Sequence, residues 1–161
     1  MRCLETRNHK SGYQMRKATG DMVAAAYPPK NFEPIVSSSP FGWENGPIFE
    51  QVNDDGWVRG FRVAEKHSNA AGMCHGGMLM TFADILLSRA VLDVVAPPFV
   101  TVRLISDFMG PAMLGDWVEG NAKVVGVDDG IVSLTGQIYT ERTPVLSVSA
   151  LFKKLGSWSK G

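Results

Sequence analysis

Cys74, His75, Gly76 and Gly77 set a nucleophile, a base and two flexible residues side by side, and Asp84 follows nine residues after the histidine. Apolar residues from Met78 through Leu79, Met80, Phe82, Ala83, Ile85, Leu86, Leu87, Ala90, Val91 and Leu92 occupy every face of a helix expected from about Gly77 to Val95. Such a helix reads as buried all round. An uncompensated carboxylate inside it costs several kcal/mol, so a chain that keeps Asp84 there is expected to use it. The two glycines at the helix entrance let a backbone N–H approach a ligand closely, where the positive end of the helix dipole favours negative charge.

Each of these residues also has a plainer reading. Gly76 and Gly77 could form a tight turn feeding a helix. Asp84 could bond Thr81 or Ser88 one turn away, or pair with Arg89. His75 could act as a general base or could hold Asn69 and its loop by hydrogen bonds. Cys74 beside His75 suggests a nucleophile and its base, but adjacent side chains usually point apart and no third orienting group is evident. His67, Cys74, His75 and Asp84 lack a recognised metal-ligand spacing, so no metal site is expected. Met73, Met78 and Met80 read as core or as the lining of an adaptable apolar pocket.

The elements that must position these residues are legible around them. Residues 1–30 scatter basic side chains among Ser, Gly and Asn, with a short helix possible near Asp21 to Tyr27, and residues 31–47 are rich in proline and serine. Period-two patterning then predicts a hairpin from Ile48 to Val52 and Trp57 to Ala64, turning at Asn53 to Gly56. After the helix, which Pro97 and Pro98 stop, four strands are expected at Phe99–Phe108, Asp116–Val127, Ile131–Thr140 and Val145–Leu155. A hairpin, one buried helix and four antiparallel strands describe an α+β domain. One helix cannot cover both faces of so long a sheet, which points to a second subunit.

Composition narrows the class of function. The chain has 161 residues, 45% of them hydrophobic, with sixteen basic and sixteen acidic residues and no formal net charge. One domain with a real core is expected. Without a basic stripe, nucleic acid is not an expected partner. Asp84 and Arg89 interrupt the best apolar run, so no membrane span is expected. Cys3 and Cys74 make no disulfide framework, and no signal peptide is evident, which together suit a cytoplasmic location.

Asn69, six positions before His75, then Gly76, Gly77 and Asp84, resembles the spacing of the hotdog-fold acyl-CoA thioesterases of the phenylacetate-pathway type. Pro40 and Phe41 ahead of Gly46 and Pro47 resemble that family's opening strand. Thr101, Val102, Asp107, Phe108, Gly110, Pro111, Gly115 and Asp116 resemble its strand after the helix, and Val148, Phe152 and Lys153 its last strand. The resemblance spans about residues 40–155. It implies a hotdog fold, in which an antiparallel sheet wraps one long central helix. It also implies residues 1–39 as an extension, 40–156 as the thioesterase domain and 157–161 as a tail.

The resemblance further implies a homodimer with one continuous sheet, often doubled into a tetramer, with active sites between subunits. Asn69 and the Gly76 N–H would hold a thioester carbonyl. Asp84 of the opposite subunit would activate a water or attack directly, and Thr101 would orient that water. Gly77, Met78, Phe108, Gly110, Pro111 and the hairpin tip at Val127 and Asp128 are the expected substrate contacts. No cofactor is expected, because coenzyme A would be part of the substrate.

A preorganised amide pair of this kind is an oxyanion hole, and losing one donor commonly costs about a hundred- to thousandfold in rate. Asp84 lies two turns into its helix and would not easily reach that helix's own start. The tip carries Asp128 and Asp129, which repel phosphate unless turned away; Arg103, Lys123, Arg142, Lys153 or Lys154 could compensate. A non-catalytic acyl-CoA or fatty-acyl binding protein, and a hydratase on the same fold, are the alternatives to the acyl-CoA thioesterase reading.

Overall fold

The computed structural model describes residues 13–141 and 143–156. Cys3, Arg142 and the basic residues before position 13 therefore lie outside the described residues. In chain order the elements are α1 (Gly20–Ala26), β1 (Glu33–Pro34), α2 (Pro40–Asn45), β2 (Phe49–Asn53) and β3 (Gly56–Arg62). A 3-10 turn at Glu65–His67 leads to the long helix α3 (Gly76–Val91), followed by β4 (Phe99–Phe108), β5 (Trp117–Asp128), β6 (Ile131–Tyr139) and β7 (Pro144–Lys154).

All seven strands form one antiparallel sheet in the order β1-β2-β3-β5-β6-β7-β4, wrapped around α3. The long strands and their joints fall where turn chemistry places them. Asp129 and Gly130 both have positive φ, 43° and 73°, as a two-residue hairpin turn with right-handed strand twist demands. Inward-facing Val118, Val132, Leu134, Ile138, Leu146 and Phe152 close on Phe82, Leu86, Leu87 and Val91 of α3, all buried. Gly120 makes that approach possible: a Cβ there would stand 2.5 Å from the Gln137 carbonyl and 2.8 Å from Leu86.

Two expectations are corrected. Pro40 and Phe41 do not open a strand but begin α2. Ser39 caps that helix by accepting from the Gly42 N–H at 3.1 Å, and Pro40 takes the first-turn position where its missing N–H costs nothing. Nor is α3 buried all round. The sheet curls round one side only, leaving a stripe of Gly77, Met80, Thr81, Asp84, Ile85 and Ser88 exposed or half-buried. Apolar residues on that stripe mislead the periodicity, because Met80 and Ile85 border cavities, Ile85 while also packing against the margin of the core.

The segment before α2 is seated on the sheet. Ile35 N–H extends the β1–β2 pairing by donating to Ile48 O at 3.0 Å. The Arg62 guanidinium holds the end of α1 through the carbonyls of Ala26 and Tyr27 while stacking over Trp117. A small cluster of Ala26, Phe32 and Phe49 is buried beneath it.

Candidate functional site

The loop that ends in α3 is fastened from both sides. His75 N–H donates to His67 O at 2.7 Å, Cys74 N–H to Ala112 O at 2.8 Å, and Leu114 N–H to Gly72 O at 2.9 Å. Within the loop the Asn69 Oδ1 accepts the N–H groups of Ala71 (2.9 Å) and Met73 (3.2 Å). An amide whose oxygen is committed twice presents its NH2 group outward in a fixed direction.

His75 caps α3. Its Nδ1 accepts from the Gly77 N–H at 2.9 Å, and its carbonyl takes the N–H groups of Met78 (2.9 Å) and Leu79 (3.2 Å). Of the first-turn donors, these bonds leave the Gly76 N–H uncommitted among the described residues. The Phe108 ring stands against this point, 3.3 Å from where a Gly76 Cβ would be. The His75 side chain thus caps α3, a structural role different from the hold on Asn69 or its loop that the sequence suggested.

Asp84 bonds neither Thr81, Ser88 nor Arg89. Its Oδ1 accepts from the Thr101 hydroxyl on β4 at 2.7 Å. Thr81 instead bonds Gly77 O at 2.9 Å, and Arg89 joins a cluster in which Glu50 receives both Arg59 (2.7 Å) and Arg89 (3.2 Å). Arg89 also pairs with Asp93. Burial pulls the Arg59 guanidinium below its ordinary value, against the opposing pull of Glu50.

Gly76 and Asp84 are eight residues apart on one helix, about 12 Å along its axis. Two groupings thus stand apart on one chain: the Asn69 amide with the Gly76 N–H, and the Asp84–Thr101 carboxylate–hydroxyl pair. β4 is an edge strand, and it exposes Val100, Val102, Ile105 and Phe108 between them.

The remaining sequence candidates are dispersed. Met78 lies in the core, whereas Gly77 and Met80 line a cavity that also touches Asp84. Gly110 and Pro111 belong to the loop that braces the Asn69 segment, with Gly110 N–H near Val145 O at 3.4 Å. Val127 and Asp128 sit at the β5–β6 tip beside Lys153 and Lys154; Lys154 N–H donates to Gly130 O at 2.7 Å. Cys74 is buried, and burial alone pushes its thiol up to about 12, which leaves it poorly suited to attack. Among the described residues no group of three or more His, Cys, Asp or Glu side chains could hold a metal ion, and no helix is long and apolar enough to cross a membrane.

Sequence offers His67 only as a metal candidate. It lies buried beneath the Asn69 loop, its Nδ1 accepting the Ala64 N–H at 3.0 Å and its Nε2 making no hydrogen bond of normal geometry. Burial drives its pKa down, helped by the Lys66 cation and opposed by backbone carbonyls of Arg62 and Asn45. Only its three-dimensional place under the loop reveals this.

Residues 71–147 match the thioesterase superfamily. A Pseudomonas aeruginosa protein named "Putative esterase PA0474" is 35% identical over 127 residues, covering 77% of this chain and 95% of that protein. The chain belongs to the thioesterase superfamily. Its enzyme class is thioester hydrolase, and its hotdog fold is that of PaaI-like thioesterases. The PaaI protein of the E. coli phenylacetic acid degradation operon superposes with a TM-score of 0.65 at 20% identity, covering 73% of this chain and 86% of that one. The Bacillus halodurans protein BH2602, crystallised with CoA, gives a TM-score of 0.62 at 23% identity, covering 67% and 74%.

Proposed function

We propose that this thioesterase hydrolyses acyl-CoA esters at a site completed by two copies of the chain, with residues 40–156 as the catalytic domain. The observation that carries the reading is the Thr101–Asp84 hydrogen bond on one half-site. It fixes a carboxylate about 12 Å along α3 from the uncommitted Gly76 N–H, too far to serve one reacting carbonyl within a chain. Antiparallel pairing of β4 with a second β4 would bury the exposed apolar edge and set the Thr101 end of one copy against the Phe108 end of the other. Asp84 of one subunit would then face Asn69 and Gly76 of its partner. A dimer, or a dimer of dimers, follows from this reading.

In the reaction, the thioester carbonyl accepts hydrogen bonds from Asn69 Nδ2 and the Gly76 N–H. Asp84 takes a proton from a water that Thr101 helps to place, and the water oxygen bonds to the acyl carbon. The carbonyl electrons move onto oxygen, where the two donors stabilise the oxyanion. On collapse the C–S bond breaks, the thiolate leaves with the proton, and the free acid remains. Direct attack by Asp84, giving an acyl anhydride that water then opens, uses the same groups; single-turnover hydrolysis in 18O-water would label Asp84 only in that case. Coenzyme A as the thiol is supported by the CoA-bound Bacillus halodurans relative in fold and by Lys153 and Lys154 flanking the acidic tip. Free-thiol release from a panel of acyl-CoAs tests the proposal. Hydrolysis is expected in the wild type and near-complete loss in Asp84→Ala; undiminished turnover by that variant would overturn it.

A further inference from the structure

Two cavities meet at Asp84. One, of about 370 Å³, runs along the open stripe of α3 past Gly77, Met80 and Thr81 toward Leu104 of β4. The other, of about 360 Å³, lies behind α2 and follows α3 from Asp84 to Leu92. Ser39, Gly42, Asp84 and Ile85 border both. The second chamber has largely apolar walls, with Ile35, Trp43 and Ile48 facing Ile85 and Leu92, and a charged flank at Arg59 and Arg89.

Trp43 is a fixed wall. Its Nε1 donates to Ser37 O at 2.9 Å, the Arg16 guanidinium stacks 4.8 Å from the ring centroid, and Arg16 and Ser37 exchange backbone hydrogen bonds at 2.9 and 3.0 Å. The matched superfamily region begins at residue 71, so Ile35, Trp43 and Ile48 of this chamber lie before it.

We propose that the chamber behind α2 is the acyl subsite and that it selects medium-chain acyl groups. This rests on the thioesterase reading above. A reacting thioester at Asp84 must send a polar coenzyme arm to solvent and an apolar chain away from it. Both cavities at the carboxylate have mostly apolar walls, but the one toward Leu104 follows the exposed stripe of α3, whereas the chamber behind α2 is the more enclosed. From Asp84 to Leu92 the helix rises about 12 Å, and an extended chain advances roughly 1.2 Å per bond, so on the order of eight to ten carbons fit. A cavity of about 150 Å³ already accommodates a benzene ring, so girth is not limiting here. Each methylene that enters should raise kcat/KM about three- to fourfold, levelling off once the chain reaches Leu92.

The experiment measures thiol release and affinity for non-hydrolysable thioether analogues across butyryl, hexanoyl, octanoyl and dodecanoyl chains. The wild type is compared with Ser88→Leu, which fills the chamber, and Trp43→Ala, which removes a wall; circular dichroism checks folding. The octanoyl-to-butyryl ratio is expected to fall at least tenfold in Ser88→Leu and severalfold in Trp43→Ala. A folded Ser88→Leu protein with the wild-type chain-length profile would overturn the assignment. If Ser88→Leu does not fold, a Trp43→Ala protein with that same profile overturns it instead. Chain-length-dependent binding of the analogues that Ser88→Leu abolishes, with no thiol release from any of the acyl-CoA esters, would sustain the chamber and overturn acyl-CoA hydrolysis as the function. Affinity indifferent to chain length would overturn the chamber alone.

Discussion

Asn69 does two jobs with the two ends of one amide, and a pair of substitutions separates them. Oδ1 holds the loop through the N–H groups of Ala71 and Met73, while Nδ2 is the group proposed to meet the oxyanion. Asn69→Ala removes both. Two lost hydrogen bonds at about 0.5–1.5 kcal/mol each lower stability by about 1–3 kcal/mol. Losing one oxyanion donor lowers kcat about a hundred- to thousandfold. Asn69→Asp is different. A carboxylate still accepts both loop N–H groups, and charge-assisted bonds are roughly twice as strong as neutral ones, so stability is expected to hold or rise. The donor is nevertheless gone, and a negative charge stands where the oxyanion develops, so kcat should fall by at least about a thousandfold. Urea denaturation gives the stabilities and thiol release gives the rates. An Asn69→Asp enzyme with wild-type kcat would refute the donor role, and an Asn69→Ala protein of wild-type stability would refute the loop role.

Other expectations follow from single contacts. Thr101→Val deletes the hydroxyl on Asp84 and should lower kcat by roughly ten- to a hundredfold with little change in KM, the mark of an interaction felt only in the transition state; a change in KM alone would contradict this. His67, held neutral in the fold, favours folding fully above its unfolded value near 6.5, and that stability is lost as pH falls from there through its depressed folded value. Denaturant midpoints at pH 7.5 and 5.5 should therefore differ more in the wild type than in His67→Gln; equal differences would show that the imidazole is not the responsible group. With Cys3 replaced by serine, Cys74 should stay silent to a thiol reagent at pH 8 until denaturant is added, since its thiol is pushed up to about 12; rapid labelling of the native protein would contradict the buried assignment.

The strands and their turns are legible in the sequence because local chemistry decides them. Asp129–Gly130 specifies its hairpin, and the alternation in β6 and β7 matches the buried face of the sheet. The spacing from Asn69 to Asp84 is legible too, since residues on one loop and one helix keep their relation in any tertiary context. The state of α3 is not. Met80 and Ile85 look like core by hydropathy, yet they border cavities on the side the sheet leaves open. The α2 helix escapes a sequence reading because Pro40 serves equally to start a helix or to break one, and Ser39's cap decides between them. The chamber behind α2 joins residues between Ile35 and Ile48 to residues between Asp84 and Leu92, and no local pattern encodes it.

Subunit complementation tests the shared site most directly. Asp84→Ala and Asn69→Ala chains, each expected to be nearly inactive alone, are mixed by refolding in equal amounts. If each site takes Asp84 from one chain and Asn69 from the other, half of the dimers regain one of their two sites, and activity should return to about a quarter of wild type. Heterodimers that form, as shown by mass spectrometry, but stay as inactive as their parents would contradict a site built across two copies.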